Sequence, residues 1–162
     1  MPHTIREVMS MITFTPKEQS LLRDLTAQEQ ICVEKYSKYA ADACDGGLKN
    51  LFTAIAQAEQ KHLDTLNQIS AGTVPQMGGG GAKPAAPAQP APYQEAERQQ
   101  DAFLCKDALS TEKYVSGAYD TSIFEFTDTA VRSALNHMQK EEQEHGQQLY
   151  QFMAVNNLYQ GS

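Results

Sequence analysis

The chain has 162 residues, with 13 Lys and Arg against 20 Asp and Glu, and a formal charge of −7 at pH 7 with His neutral. That size lets one domain bury about 68–70% of its unfolded surface, so a core can form without disulfides. The acidic balance argues against nucleic acid and against an anionic membrane surface, because both need clustered Lys and Arg.

The opening residues, MPHTIREVMSMITFTPK, carry charges inside their apolar part and no small-residue cleavage site. They do not read as a secretory signal, and synthesis in a reducing cytoplasm is expected. Ile5, Val8, Met9 and Ile12 have the spacing of a short amphipathic arm. Thr15-Pro16-Lys17-Glu18 is a helix start, with Thr15 as cap, Pro16 at the first helical position and Glu18 completing a capping box. This first helix is predicted to reach Cys44 and stop at Gly46-Gly47. A second runs from Leu48 to Ser70. Residues 71–93 hold five of the seven Pro and five of the ten Gly, which predicts a flexible linker without packed structure. A third helix is predicted from Gln94 to Phe126. Thr127 or Asp128 caps a fourth, from Thr129 to Val155. No run of about 20 apolar residues exists to span a bilayer. Cys32, Cys44 and Cys105 are odd in number with no C-x-x-C pair. That excludes a cysteine zinc ribbon or rubredoxin-type iron site within the chain and argues against a disulfide framework.

Each predicted helix has one apolar seam at steps of three or four residues. The seams are Leu22, Leu25, Glu29, Cys32, Tyr36, Tyr39, Ala43; Leu48, Phe52, Ile55, Glu59, His62, Leu66, Ile69; Cys105, Ala108, Glu112, Val115, Tyr119, Ser122, Phe126; and Val131, Leu135, Met138, Glu142, His145, Leu149, Phe152. Four helices that each bury one stripe make an all-α four-helix bundle, with one hairpin over 15–70 and a second over 94–155.

Every seam carries one Glu at its middle, and two carry His three residues later, as Glu59-x-x-His62 and Glu142-x-x-His145. Residues i and i+3 share a helical face, so each pair offers two ligands to one point. Glu29 and Glu112 are 83 residues apart, as are Glu59 and Glu142, His62 and His145, Tyr36 and Tyr119, and Asp45 and Asp128. A shared offset suggests a duplicated helical hairpin. Four neighbouring buried carboxylates repel, and each costs several kcal/mol if unpaired. Two divalent cations would balance their charge of −4. A decayed site, or a polar core held by hydrogen bonds without metal, is the alternative. Cys32 reads as a small buried apolar residue, and His137 and His3 as incidental. Lys61, Lys140, Glu141 and Glu144 read as a solvated charged face.

The six-residue pattern resembles the ligand set of ferritin-like di-iron and di-manganese carboxylate proteins, one Glu from each of two helices and Glu-x-x-His from the other two. The resemblance implies Glu29 and Glu112 as terminal ligands, Glu59 and Glu142 as bridges, and His62 and His145 as ligands to one ion each. It implies iron or manganese, with zinc able to occupy the same place. It also implies a long crossover between the hairpins. The linker can extend about 70 Å, against about 45 Å for a 30-residue helix. Tyr36 and Tyr119, two turns beyond the terminal Glu, read either as core aromatics with satisfied hydroxyls or as partners of the ligands.

Residues 106–160 carry a closer likeness. Asp107, Thr111-Glu112-Lys113-Tyr114, Gly117-Ala118-Tyr119, Val131-Arg132, Glu141-Glu142-Gln143-Glu144-His145 and the aromatic end Tyr150-Gln151-Phe152-Met153 to Tyr159 resemble the Coat F family of bacterial spore coat proteins. The resemblance implies production in the mother cell of a spore-former, a place in the spore coat, and other coat proteins as partners. It names no chemistry. Two expectations follow. One is a di-metal oxidoreductase acting on peroxide or oxygen or oxidising ferrous iron, with a separate reductase for any peroxidase cycle. The other is a structural coat component whose metal only stabilises the fold. A homodimer suits either, and an iron store is the weaker third reading.

Overall fold

A computed structural model describes residues 11–77 and 89–159. His3, Ile5, Val8 and Met9 lie outside them. Among the described residues the regular structure is all helical: α1 (Pro16–Asp42), α2 (Gly46–Ser70), α3 (Glu95–Glu125) and α4 (Thr129–Val155). No helix of the described residues is long and apolar enough to cross a membrane.

The predicted start of α1 is present in full. Thr15 Oγ1 accepts from Glu18 N, and Glu18 Oε1 accepts from Thr15 N. Its predicted end is corrected. The helix stops at Asp42 with Ala43 in extended conformation. Gly46 and Gly47 form the first turn of α2 instead of ending α1. The reason is Asp45, whose carboxylate accepts from Leu48 N and sets the N-cap one residue before Gly46. Asp128 caps α4 in the same way, accepting from Val131 N. Gln94 and Phe126, predicted inside the third helix, are its caps.

Short turns pair α1 with α2 and α3 with α4 as antiparallel hairpins that pack together in a helical bundle. Across the hairpins, α1 meets α3 and α2 meets α4. Tyr36 reaches Glu112 while Glu29 reaches Tyr119, so α1 and α3 run in opposite directions. Helices α2 and α3 are then parallel, and the chain between them must return along the bundle.

Both ends of that crossover are packed, which corrects the expectation for 71–93. At one pole, Gly72 closes α2 at a φ of 98°, and its carbonyl accepts from Ile12 N. A side chain there would crowd Met11. Val74, Met77 and Tyr93 pack against the core. At the other pole, Ala91 N donates to Asn156 Oδ1. Fully buried Asp101 accepts from Tyr93 Oη and from Cys44 N and Asp45 N of the α1–α2 turn.

The four seams face inward. Apart from half-buried Tyr39, all their members are buried, and Tyr36, Tyr119, Phe52, Phe126 and Phe152 are the largest aromatics wholly enclosed. Each such aliphatic or aromatic side chain contributes roughly 1.5–3 kcal/mol through burial. That apolar shell encloses the acidic centre.

Candidate metal centre

Glu29 of α1, Glu59 and His62 of α2, Glu112 of α3, and Glu142 and His145 of α4 are all buried and meet mid-bundle. They fall into two overlapping groups. One is Glu29, Glu59, His62 and Glu142; the other is Glu59, Glu112, Glu142 and His145. Within each group, one ligand atom per residue lies within 4.8 Å of the others. Glu59 and Glu142 belong to both.

The imidazoles cross between hairpins. His62 Nδ1 lies 2.9 Å from Glu142 Oε1, 3.6 Å from Glu29 and 3.8 Å from Glu59. His145 Nδ1 lies 2.9 Å from Glu59 Oε1, 3.5 Å from Glu112 and 3.6 Å from Glu142. The two rings stack with centroids 6.1 Å apart. Both tyrosines touch the candidate ligands. Tyr119 Oη donates to Glu29 Oε1 at 2.7 Å, and Tyr36 Oη to Glu112 Oε1 at 2.5 Å. Cys32 is buried beside the cluster, where burial and the surrounding carboxylates push its thiol well up and keep it protonated.

The electrostatics show the strain of holding these groups together. Burial, with Glu59 alongside, pushes Glu29 up to about 8. Burial and Glu112 push Glu142 well above the carboxylate range. Burial also opposes the charge on Glu59, but its contacts with Glu29, His145 and His62 outweigh that and hold it well below. Burial disfavours charge on His62 and His145, yet the carboxylates around them raise both. Protons shared in this way are what a buried acidic cluster uses to limit its own repulsion.

Several polar atoms still lack a well-aligned hydrogen bond: Glu29 Oε2, both Glu59 oxygens, Glu112 Oε2, Glu142 Oε2 and His145 Nδ1. The 2.9 Å approach of His145 Nδ1 to Glu59 Oε1 is close but misdirected. Orphaned buried oxygens and an imidazole nitrogen converging on one point are the donor set that divalent iron, manganese or zinc takes, so the residues present fit such ions.

His137, which reads from sequence as incidental, and Glu141, which reads as part of a solvated charged face, are part of the site's surroundings. Glu141 Oε1 lies 3.2 Å from His62 Nε2 and 3.0 Å from His137 Nε2. Contact with His62 holds its carboxyl below the usual range, despite partial burial. Glu141 stands next to Glu142 and off the seam, so apolar periodicity gave no sign of it. An i,i+4 His-Glu pair beside a Glu-x-x-His was the available signal.

Four helices in two antiparallel hairpins around buried carboxylates and imidazoles define a helical bundle with a polar centre whose groups could hold metal. Residues 100–161 match the family model for the Coat F domain. The match spans most of α3 and all of α4, and supports a Coat F relationship for that part of the chain. No curated protein and no solved structure matches the chain.

Proposed function

We propose that the chain is a ferritin-like protein of the bacterial spore coat that binds two divalent ions, iron or manganese before zinc, and uses them in oxidoreductase chemistry on peroxide or oxygen. The observation that carries the metal reading is the pair of four-residue groups sharing Glu59 and Glu142. Two ions there would each meet one imidazole and divide the four carboxylates. A redox-active ion would supply the electron-transfer chemistry. The chain's own part is to hold the carboxylates, keep water out with the aromatic shell, and brace Glu29 and Glu112 through Tyr119 and Tyr36. The ferritin-like assignment rests on the ligand pattern and on a crossover that joins parallel α2 and α3. The coat assignment rests on the Coat F match to residues 100–161; coat proteins are then its partners.

The test is elemental analysis of protein expressed with iron and manganese supplied. About two equivalents per chain are expected in the wild type and none in the Glu59→Gln/Glu142→Gln variant. Equal metal in both would sink the reading. The Coat F match by itself favours a second reading, a structural coat component with a stabilising metal. Peroxide turnover separates the two: the metal-loaded wild type turns peroxide over in the first reading and is inert in the second.

A further inference from the structure

The two candidate metal positions have unequal surroundings. His62 Nε2 points away from the cluster onto Glu141 Oε1 at 3.2 Å, and His137 Nε2 meets the same oxygen at 3.0 Å. The side chains of Glu141 and His137 are each roughly a quarter to a third exposed, so the pair links the buried imidazole to the surface. His145 has no such partner: among the described residues no carboxylate hydrogen-bonds its Nε2. Sequence shows why. The residues 83 positions before His137 and Glu141 are Ala54 and Ala58, which have neither charge nor donor.

We infer that Glu141, held in place by His137, is the positioning residue that fixes His62 and makes the position of Glu29, Glu59, His62 and Glu142 bind its ion more tightly than the position around His145. This inference rests on the proposed function. The chemistry is a tautomer choice. A carboxylate accepting from Nε2–H leaves the proton there and turns the Nδ1 lone pair toward the cluster, where Glu142 already lies 2.9 Å away. The negative partner also makes the imidazole a better donor to metal. His137 Nε2, 3.0 Å from the same carboxylate oxygen, restricts its rotamer by close contact. The ion-pair contacts of His145 with Glu59, Glu112 and Glu142 are all at Nδ1.

The test is a titration of chelator-treated full-length protein with Co2+, followed by its visible absorption and by heat. Wild type should take up two ions in two resolved steps. Glu141→Ala should weaken the tighter step by about 10–100-fold and leave the weaker step within about threefold. Glu141→Gln, whose amide oxygen still accepts from Nε2–H, should recover part of that loss. His62→Ala should abolish the same step that Glu141→Ala weakens, while His145→Ala should remove the other. A merely structural role would lower the melting temperature without selecting one step or being rescued by Gln. Two steps of equal affinity in wild type, or an equal change in both steps in Glu141→Ala, would overturn the inference and leave the metal centre standing. A wild type that takes up no cobalt overturns the metal centre itself.

Discussion

Tyr119 on α3 donates its hydroxyl to Glu29 on α1 at 2.7 Å, while Tyr36 on α1 donates to Glu112 on α3 at 2.5 Å. Each helix of this antiparallel pair therefore braces the other's candidate terminal ligand. Both rings are wholly buried, and burial with the adjacent carboxylates drives both phenols well up, so they stay protonated donors. Tyr119→Phe keeps the ring but leaves Glu29 Oε1 without this donor. A loss of about 1–3 kcal/mol is expected, measured by denaturant unfolding of metal-free protein. Tyr36→Phe should behave alike through Glu112. An unchanged midpoint in both variants would show that the hydroxyls do not brace the cluster.

The metal-free protein should lose stability as pH rises. Glu29 keeps its proton up to about 8 in the fold, against 4.5 ordinarily, so the folded chain holds a proton that the unfolded chain has released. That contribution is complete below about 4.5 and is lost as pH climbs through about 8. Glu142, His62 and His145 are shifted upward as well and act in the same direction. Glu59 is shifted down, so its effect varies only below 4.5 and is constant across this window. Between about pH 5 and pH 9 a loss of roughly 3–5 kcal/mol is expected from Glu29. Thermal melts across that range in chelator check it; a midpoint that rises with pH contradicts the assignment.

Neutralising the shared carboxylates should separate stability from metal binding. In metal-free protein at about pH 8, Glu142→Gln should change stability by less than about 1 kcal/mol, because burial already keeps that carboxyl protonated, whereas Glu59→Gln should cost on the order of 3 kcal/mol, because it strips the ionised partner from His62 and His145. With metal present both variants should fall further below wild type, since only the wild type gains the full binding energy of the ions. Melting curves with and without Mn2+ give the comparison. A Glu59→Gln variant as stable as metal-free wild type would mean that Glu59 does not pair with the imidazoles.

Asp101 should prove essential far from the centre. It is fully buried and receives two backbone N–H groups from the α1–α2 turn and one hydroxyl from Tyr93. Asp101→Ala strands all three donors, at roughly 1–3 kcal/mol each. Asp101→Asn, with one accepting oxygen, should fall between. Chemical denaturation ranks the three proteins, and an Asp101→Ala midpoint equal to wild type would exclude the latch.

The centre was legible because its residues interrupt apolar seams. Glu29, Glu59, His62, Glu112, Glu142 and His145 sit at helical spacing among Leu, Phe and Ile, and one stripe per helix must turn inward. The caps Thr15 and Asp128 act locally, so they too could be read, whereas Asp45 caps α2 at a turn where Gly46-Gly47 reads as the stop of α1. What stayed hidden depends on how helices meet. Glu141 looks like surface charge until α4 is laid against α2 and its oxygen finds His62. Asp101 acts on a turn 56 and 57 residues away. Tyr93 packs only because α3 arrives at the pole where Asp101 waits. Periodicity assigns a residue to the inside or outside of its own helix and carries no information on such pairings.

The two candidate ligand groups are divided unevenly between the hairpins. The first draws Glu29, Glu59 and His62 from one hairpin and only Glu142 from the other; the second draws Glu59 from the first hairpin and Glu112, Glu142 and His145 from the other. Neither half of the chain owns a complete set. An ion seated here would therefore act as a rivet through a joint, and pulling it out would loosen the seam between the halves along with the site. Resistance to chelation then becomes a gauge of how firmly one hairpin grips the other.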